Sequence, residues 1–399
     1  MISRKTGDLP WLAQDKKTAL TQRIGLGEGL KLLNEALYAG PVCVIVDQNL
    51  YPRLTDVLSP QVSVVSIDGQ TTPETVHDLA DQVRGVINRD GCLISIGGGM
   101  VIDRAKLALG LIRHDTEYET WLAARAVTNG VIIISAPSQH PGHLVAIPTT
   151  VGTGSENNTG ACLTTSLPDQ NQFVKTIVLQ QGARPEVSVY DPFFNAGPPD
   201  LILWGVWEIL FRLAGAYVSS PSLLPIADRW AISHLYRCVD FLTALGESAP
   251  DDTLRLRIAL LSAATHTGPD LQARGLTPSL LWILATELSM ALSVTKNEAS
   301  LRLFWPWLRR VLEGDTRWGD HGRALHVLQI LGIAPSSTDG LLTSSHTVPI
   351  PPLTKRLSAD SAIVAHSVKD RFSRWSPALR QLSVNDIGSV INEGITPCN

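Results

Sequence analysis

Short unbroken apolar runs punctuate the first half of the chain. Residues 41–47, 62–67, 92–96, 131–134 and 144–148 are rich in valine and isoleucine, and the first ends in an acid, Asp47. Residues 48–58 and 101–111 between them carry helix-compatible spacing. Runs this short, alternating with helices, predict a parallel sheet buried on both faces. From Leu201 onward the strand pattern vanishes. Helical periodicity covers 201–217, 224–245, 252–266, 279–292, 298–312 and 322–331. Prolines and glycines cluster over 191–199, the natural hinge. A Pro/Ser-rich stretch at 334–352 precedes a polar tail with helical patches. The pattern predicts a Rossmann-like α/β domain over 1–196 and an all-α domain over 197–399.

Composition narrows the function classes. The chain has 399 residues, 44% hydrophobic and 18% charged, with a formal net charge of −4. Ordinary globular usage excludes disordered and fibrous classes, and the charge balance gives no pull toward nucleic acid or an anionic membrane. Five scattered cysteines with no CxxC pair argue against a disulfide framework or cysteine zinc site and fit a reducing compartment. The first seventeen residues hold no apolar signal core, and no run is expected to reach the ~20 residues of a membrane span. The expectation is a cytoplasmic protein.

Two segments carry chemistry. The run Cys92-Leu93-Ile94-Ser95-Ile96 passes straight into Gly97-Gly98-Gly99 and then a helix. Glycines admit the backbone close to a pyrophosphate, and the free amides of a helix start attract its charge. A plain tight turn reads the same way, and Asp47, placed where a ribose-binding acid belongs, reads equally as a turn residue. The second segment is Ala146-Ile147-Pro148-Thr149-Thr150-Val151-Gly152-Thr153-Gly154-Ser155-Glu156, a strand running into hydroxyls and glycines.

Together with Gly97-Gly98-Gly99-Met100-Val101-Ile102-Asp103-Arg104-Ala105-Lys106, that segment resembles the iron-containing alcohol dehydrogenases, which share their fold with the dehydroquinate synthases. The resemblance covers about residues 20–220. It implies a cleft between the domains holding NAD, with Asp47 at the adenosine ribose disfavouring NADP. It implies Gly97, Gly98, Gly99 and Asp103 toward the pyrophosphate and nicotinamide, Thr149, Thr150 and Ser155 along the cleft, and Lys175 near a ribose. A homodimer is the implied assembly.

The chain departs from the family where the family binds a divalent metal through an Asp and three His. Glu208 takes the acid position and Arg212 the first His position. Downstream, Trp282 and Thr286 replace two His of one helix, the second of them catalytic rather than a ligand, and Lys296 stands at the last ligand. An arginine cannot ligate a metal, so no metal is expected. No histidine restores the set: His140 and His143 form a two-ligand fragment, His321 and His326 do not share a helix face, and His266 reads as a core residue. In place of the metal, Lys296 would polarise the substrate oxygen, Arg212 would be free to clamp a carboxylate, and Glu208 would balance charge or take the proton. Trp204, Trp207 and Trp282 would wall the site or pack the core. An inert ion-pair cluster is the alternative.

Glu287-Leu288-Ser289, Thr295-Lys296-Asn297-Glu298 and Arg317-Trp318-Gly319-Asp320 are similar to a branch found with ribosomal peptide natural products of the daptide type. That resemblance implies NAD-dependent oxidation of a C-terminal threonine, whose β-keto acid then loses carbon dioxide. A non-catalytic cofactor-binding scaffold and a sugar-phosphate cyclase-like enzyme stand as alternatives.

Overall fold

The computed structural model describes residues 21–58, 60, 62–87, 91–114, 117–135, 142–166, 173–220, 222, 224–274, 279–334, 348–354 and 358–396. Its N-terminal half is built on strands β1 (Thr21–Ile24), β2 (Val42–Asp47), β3 (Ser63–Ile67), β4 (Cys92–Gly97), β6 (His143–Pro148) and β9 (Val187–Tyr190), in the order β1-β9-β6-β4-β2-β3 and parallel throughout. Every residue of β4 and β9 is buried. Sheet faces covered on both sides explain the unbroken apolar runs. Helices α1 (Glu28–Ala39) and α2 (Tyr51–Leu54) lie in this half with α3 (Pro73–Ile87), α4 (Gly99–Arg113) and α5 (Glu117–Thr128). Val76, Leu79 and Val83 of α3 and Val101 and Ala105 of α4 form one core layer, while Leu32 and Leu33 of α1 join Phe194 in the other.

Strand order fixes where a ligand belongs. From β2 the chain runs outward to β3, then returns to the other side of β2 as β4 and continues to β6. The connections therefore diverge between β2 and β4, and the crevice beyond the carboxyl ends of two such strands is the binding position of open α/β sheets. A second sheet, β5 (Val131–Ile134), β8 (Phe173–Gln180) and β7 (Gly160–Ser166), pairs β5 with β8 in parallel and β7 with β8 antiparallel.

After Tyr190 the described residues are helical: α6 (Pro199–Ser219), α7 (Pro225–Glu247), α8 (Asp252–Thr267), α9 (Pro269–Gln272), α10 (Leu280–Leu292), α11 (Lys296–Leu312) and α12 (His321–Leu331). Starts are set by caps: Asp251 accepts from Leu254 N at 2.7 Å, Ser279 from Trp282 N at 3.2 Å and Thr295 from Glu298 N at 3.2 Å. The α-on-α/β architecture and the helix positions agree with the pattern in the sequence.

Three expectations change. The helix read over 48–58 is the single turn α2. Among the described residues one helix, α6, is long and apolar enough to cross a membrane, but 72% of its most apolar window is buried in this fold, where its side chains form the helical core. The C-terminal tail is part of that core. A helix over Ser361–Phe372 and another over Val384–Ile395 contribute Val364, Ala365, Val368, Phe372, Ile387, Val390 and Ile391. From the first of them Arg371 forms a buried ion pair with Glu287 of α10 and donates to Thr176 Oγ1 of β8 at 2.8 Å, tying the two halves together.

Candidate active site

A cavity of about 760 Å3 opens between the halves. One wall is the glycine turn and the loop after β6. Gly98 caps α4 with no side-chain acceptor, so the first amides of that helix have no partner within it. A Cβ on Gly98 would lie 3.0 Å from Thr150 Oγ1, and one on Gly99 would lie 3.0 Å from the Thr153 side chain. The two loops touch, and a side chain at either glycine would press on the threonine opposite. Thr149 donates its amide to the Gly97 carbonyl at 3.0 Å, locking the second loop to the end of β4. Val46 is in register with Ile96, so Asp47 at the end of β2 stands beside Gly97 at the switch point. Its carboxylate accepts from Asn49 N at 2.9 Å and Asn49 Nδ2 at 3.1 Å. The chemistry of this turn fits a dinucleotide: exposed amides for a pyrophosphate and an acid for ribose hydroxyls.

Of the residues expected at the cofactor, Gly99, Asp103, Ser155 and Lys175 line the cavity; Asp47, Gly97, Gly98, Thr149 and Thr150 do not, but lie in and behind the glycine turn. Asp103 accepts from Ser155 Oγ and, at 2.9 Å, from the Cys162 amide.

Across the cleft, α6 and α11 bring Glu208, Arg212 and Lys296 together. Thr295 caps α11 so that Lys296 is its first residue, and the turn before it places Ser293 in the left-handed region at φ 53°. That conformation costs a serine about 1–2 kcal/mol, and it turns the chain back so that Lys296 reaches α6. Lys296 Nζ donates to Glu208 Oε1 at 2.8 Å and stands 5.6 Å from the centre of the Trp282 ring. Asn297 Nδ2 donates to Glu208 Oε2 at 3.2 Å. Burial pushes the Glu208 carboxyl up, but Lys296 and Arg212 outweigh it and hold it below the usual carboxylate range.

Arg212 differs from expectation. Its guanidinium donates to the Gly152 carbonyl and, at 2.8 Å, to Thr265 Oγ1. Two of its five N–H groups are taken in this way, by the loop after β6 and by α8, so the guanidinium is anchored at the cavity wall rather than wholly free for a substrate. Its charge nonetheless remains at the wall, since both acceptors are neutral. Thr286 is a second correction: it is buried, absent from the cavity wall, and its hydroxyl donates back to the Trp282 carbonyl at 2.8 Å. Of the three tryptophans Trp282 lines the cavity, while Trp207 is buried and donates to the Pro349 carbonyl at 3.0 Å.

His266 at the end of α8 lines the cavity rather than the core. Its Nδ1 lies 3.4 Å from Asn158 Nδ2, and a Cβ on Gly154 would fall 1.7 Å from the ring. Burial, then Arg212, Lys296 and Lys106, pull the imidazole well below its ordinary value, so it is neutral at pH 7. Its position depends on the fit of α8 against a glycine more than a hundred residues earlier, and nothing in the local sequence signals it. His143 pairs with Glu186 at 2.7 Å; His140 lies outside the described residues.

Side chains at Glu208 do not make a divalent metal's ligand set. One carboxylate is present, already held by an ammonium and an amide nitrogen, and neither ammonium nor guanidinium has a lone pair to give. Among the described residues no three His, Cys, Asp or Glu converge as ligands.

Comparison with known proteins agrees with the fold. Residues 24–192 match the iron-containing alcohol dehydrogenase family. A phosphonoacetaldehyde reductase of Streptomyces viridochromogenes is 33% identical over 219 residues, 54% of this chain and 52% of that protein. An NAD-dependent methanol dehydrogenase of Bacillus methanolicus is 28% identical over 208 residues, 50% of each chain. The matched stretch thus spans about half the length of these curated relatives. The fold extends further: a Red Sea brine-pool archaeal alcohol dehydrogenase superposes with a TM-score of 0.69 at 16% identity, covering 94% of this chain and 97% of that one. Residues 24–192 thus resemble the iron-containing alcohol dehydrogenase family in sequence, and the whole described chain shares the fold of its solved members.

Proposed function

We propose that the chain is an NAD-dependent oxidoreductase interconverting an alcohol and its carbonyl partner on a small substrate that carries an anionic group, with Lys296 in the role a metal plays in the family. The observation that carries this reading is the Lys296–Glu208 pair in the wall of the same cavity as the glycine turn. The cofactor supplies or accepts the hydride. Gly98, Gly99 and the start of α4 would hold its pyrophosphate, Asp47 its adenosine ribose, and Asp103, Ser155 and Lys175 its nicotinamide half.

Lys296 uses one of its three donors on Glu208 and keeps two for a substrate oxygen. In the reductive direction the ammonium polarises the carbonyl and gives its proton to the oxygen as negative charge develops there. Glu208 fixes the ammonium's position, and solvent restores the proton, since the Lys296 side chain is 26% exposed. Lys175, Arg212 and Lys296 line the cavity against Asp103 and Glu208, and His266 is neutral, so the wall carries an excess of positive charge. That excess favours a carboxylate, phosphonate or sulfonate on the substrate, and the phosphonoacetaldehyde reductase is the relative whose name fits it.

The test uses chelator-treated protein of measured metal content and follows NADH absorbance with phosphonoacetaldehyde, an uncharged aldehyde of similar length, and, in the oxidative direction with NAD, a threonine-ended peptide. Turnover of the anionic aldehyde without added metal is expected. Turnover that appears only with zinc or iron refutes the role given to Lys296. Carbon dioxide release from the peptide, with no aldehyde turnover, puts the threonine-oxidising reading in its place.

A further inference from the structure

Behind the cofactor-side wall, in the middle of α4, sits Lys106, fully buried. Its ammonium donates to Ser155 Oγ at 2.9 Å, to Asn158 Oδ1 at 3.3 Å and to the Gly160 carbonyl at 2.7 Å. Those three bonds use every proton an ammonium has. Each partner passes the order on. Ser155 donates to Asp103, whose other oxygen takes the Cys162 amide. Asn158 donates to the Gly154 carbonyl at 2.8 Å and meets His266 across the cleft. Asp103, Ser155, Asn158, Gly160, Cys162 and His266 line the cavity; Lys106 does not.

We infer that Lys106 is a positioning residue: a buried ammonium that never meets a ligand but holds the side chains of the cofactor wall, so that NAD affinity depends on its charge. This rests on the reading of that wall as the NAD wall. The charged and titratable groups facing it are Asp103 on its own helix, 3.8 Å away, Glu156 after β6, Cys162 on β7 and His266 on α8. Burial pulls the ammonium down to about 8, against the pull of Asp103 and Glu156. Burial pushes the Cys162 thiol up and the His266 imidazole well down. Lys106 therefore keeps its proton below pH 8 and loses it above, and with it one of the three bonds.

The experiment is calorimetric titration of the full chain with NAD from pH 7 to 9.5, for wild type, Lys106→Met and Ser155→Ala. If bound NAD raises the proton affinity of Lys106 by one pKa unit, the wild-type Kd climbs about 7-fold across that range. Lys106→Met is expected to bind weakly with no slope. Ser155→Ala, which leaves the ammonium in place, binds more weakly than wild type and keeps the slope. A flat wild-type profile overturns the inference, as does Lys106→Met with wild-type affinity and slope. Should Lys106→Met fail to fold, the wild-type and Ser155→Ala profiles decide. Wild type that binds no NAD at pH 7 overturns the NAD reading along with it.

Discussion

Lys296→Met removes the ammonium in contact with Glu208 and leaves a side chain of similar length against Trp282. An ammonium about 3 Å from a developing oxyanion, at an effective dielectric of about 20, is worth roughly 5 kcal/mol. Lys296 is 26% exposed, so solvent takes a share of that, and its charge is already divided with Glu208 at 2.8 Å. About 3–4 kcal/mol remains, the range found on removing one oxyanion donor, and it corresponds to a fall in kcat of about 10²–10³-fold. NAD affinity is expected to stay within about twofold, because the proposed cofactor contacts lie on the opposite wall, at the glycine turn, and a neutral methionine adds no clash there. Steady-state reduction kinetics at pH 7, with NAD Kd from calorimetry, separate the two. A kcat within about threefold of wild type refutes the reasoning, and so does a variant whose loss lies wholly in NAD binding.

Asp47→Ala takes a negative charge from beside Gly97. The Kd ratio of NADP to NAD is expected to fall about 10-fold, the ~1.4 kcal/mol left of a like-charge contact after salt screening, and an unchanged ratio in paired titrations refutes the assignment. Arg371→Met strands Glu287, whose side chain is 4% exposed, with Ser367 as its remaining bond at 2.6 Å. Urea unfolding is expected to show a loss of about 3–5 kcal/mol, largely recovered in the Glu287→Met/Arg371→Met double variant; a loss under about 1 kcal/mol shows the pair is not holding the halves together.

What the sequence made legible is what short-range pattern encodes. The helices α6 to α8 and α10 to α12 begin and end within two residues of the periodic stretches, because Pro199, Pro225, Asp251, Ser279, Thr295 and Asp320 mark their starts locally. The glycine turn was equally plain. The strand β8 is not legible in the sequence, although Phe173 to Gln180 alternate in burial, since Lys175 and Thr176 break the apolar run. At the site, residue types gave the charges of Glu208, Arg212 and Lys296 but not their partners. Arg212 is anchored on Gly152 and Thr265, which lie far off along the chain, and Thr286 turns inward. His266 and Lys106 acquire their places from packing between elements, which no local periodicity records.

The helix over Ser361–Phe372 reaches back to the small sheet, where Arg371 donates to backbone carbonyls of Ala126, Asn129 and Lys175 as well as to Thr176. Lys175 is itself in the cavity wall. In a chain made from its N-terminus, the α/β half leaves the ribosome long before the residue that finishes bracing it. The earlier half must therefore wait, with those carbonyls satisfied by water, until the helix over Ser361–Phe372 arrives, and removing that helix strips support from the Lys175 wall of the cleft rather than trimming an appendage.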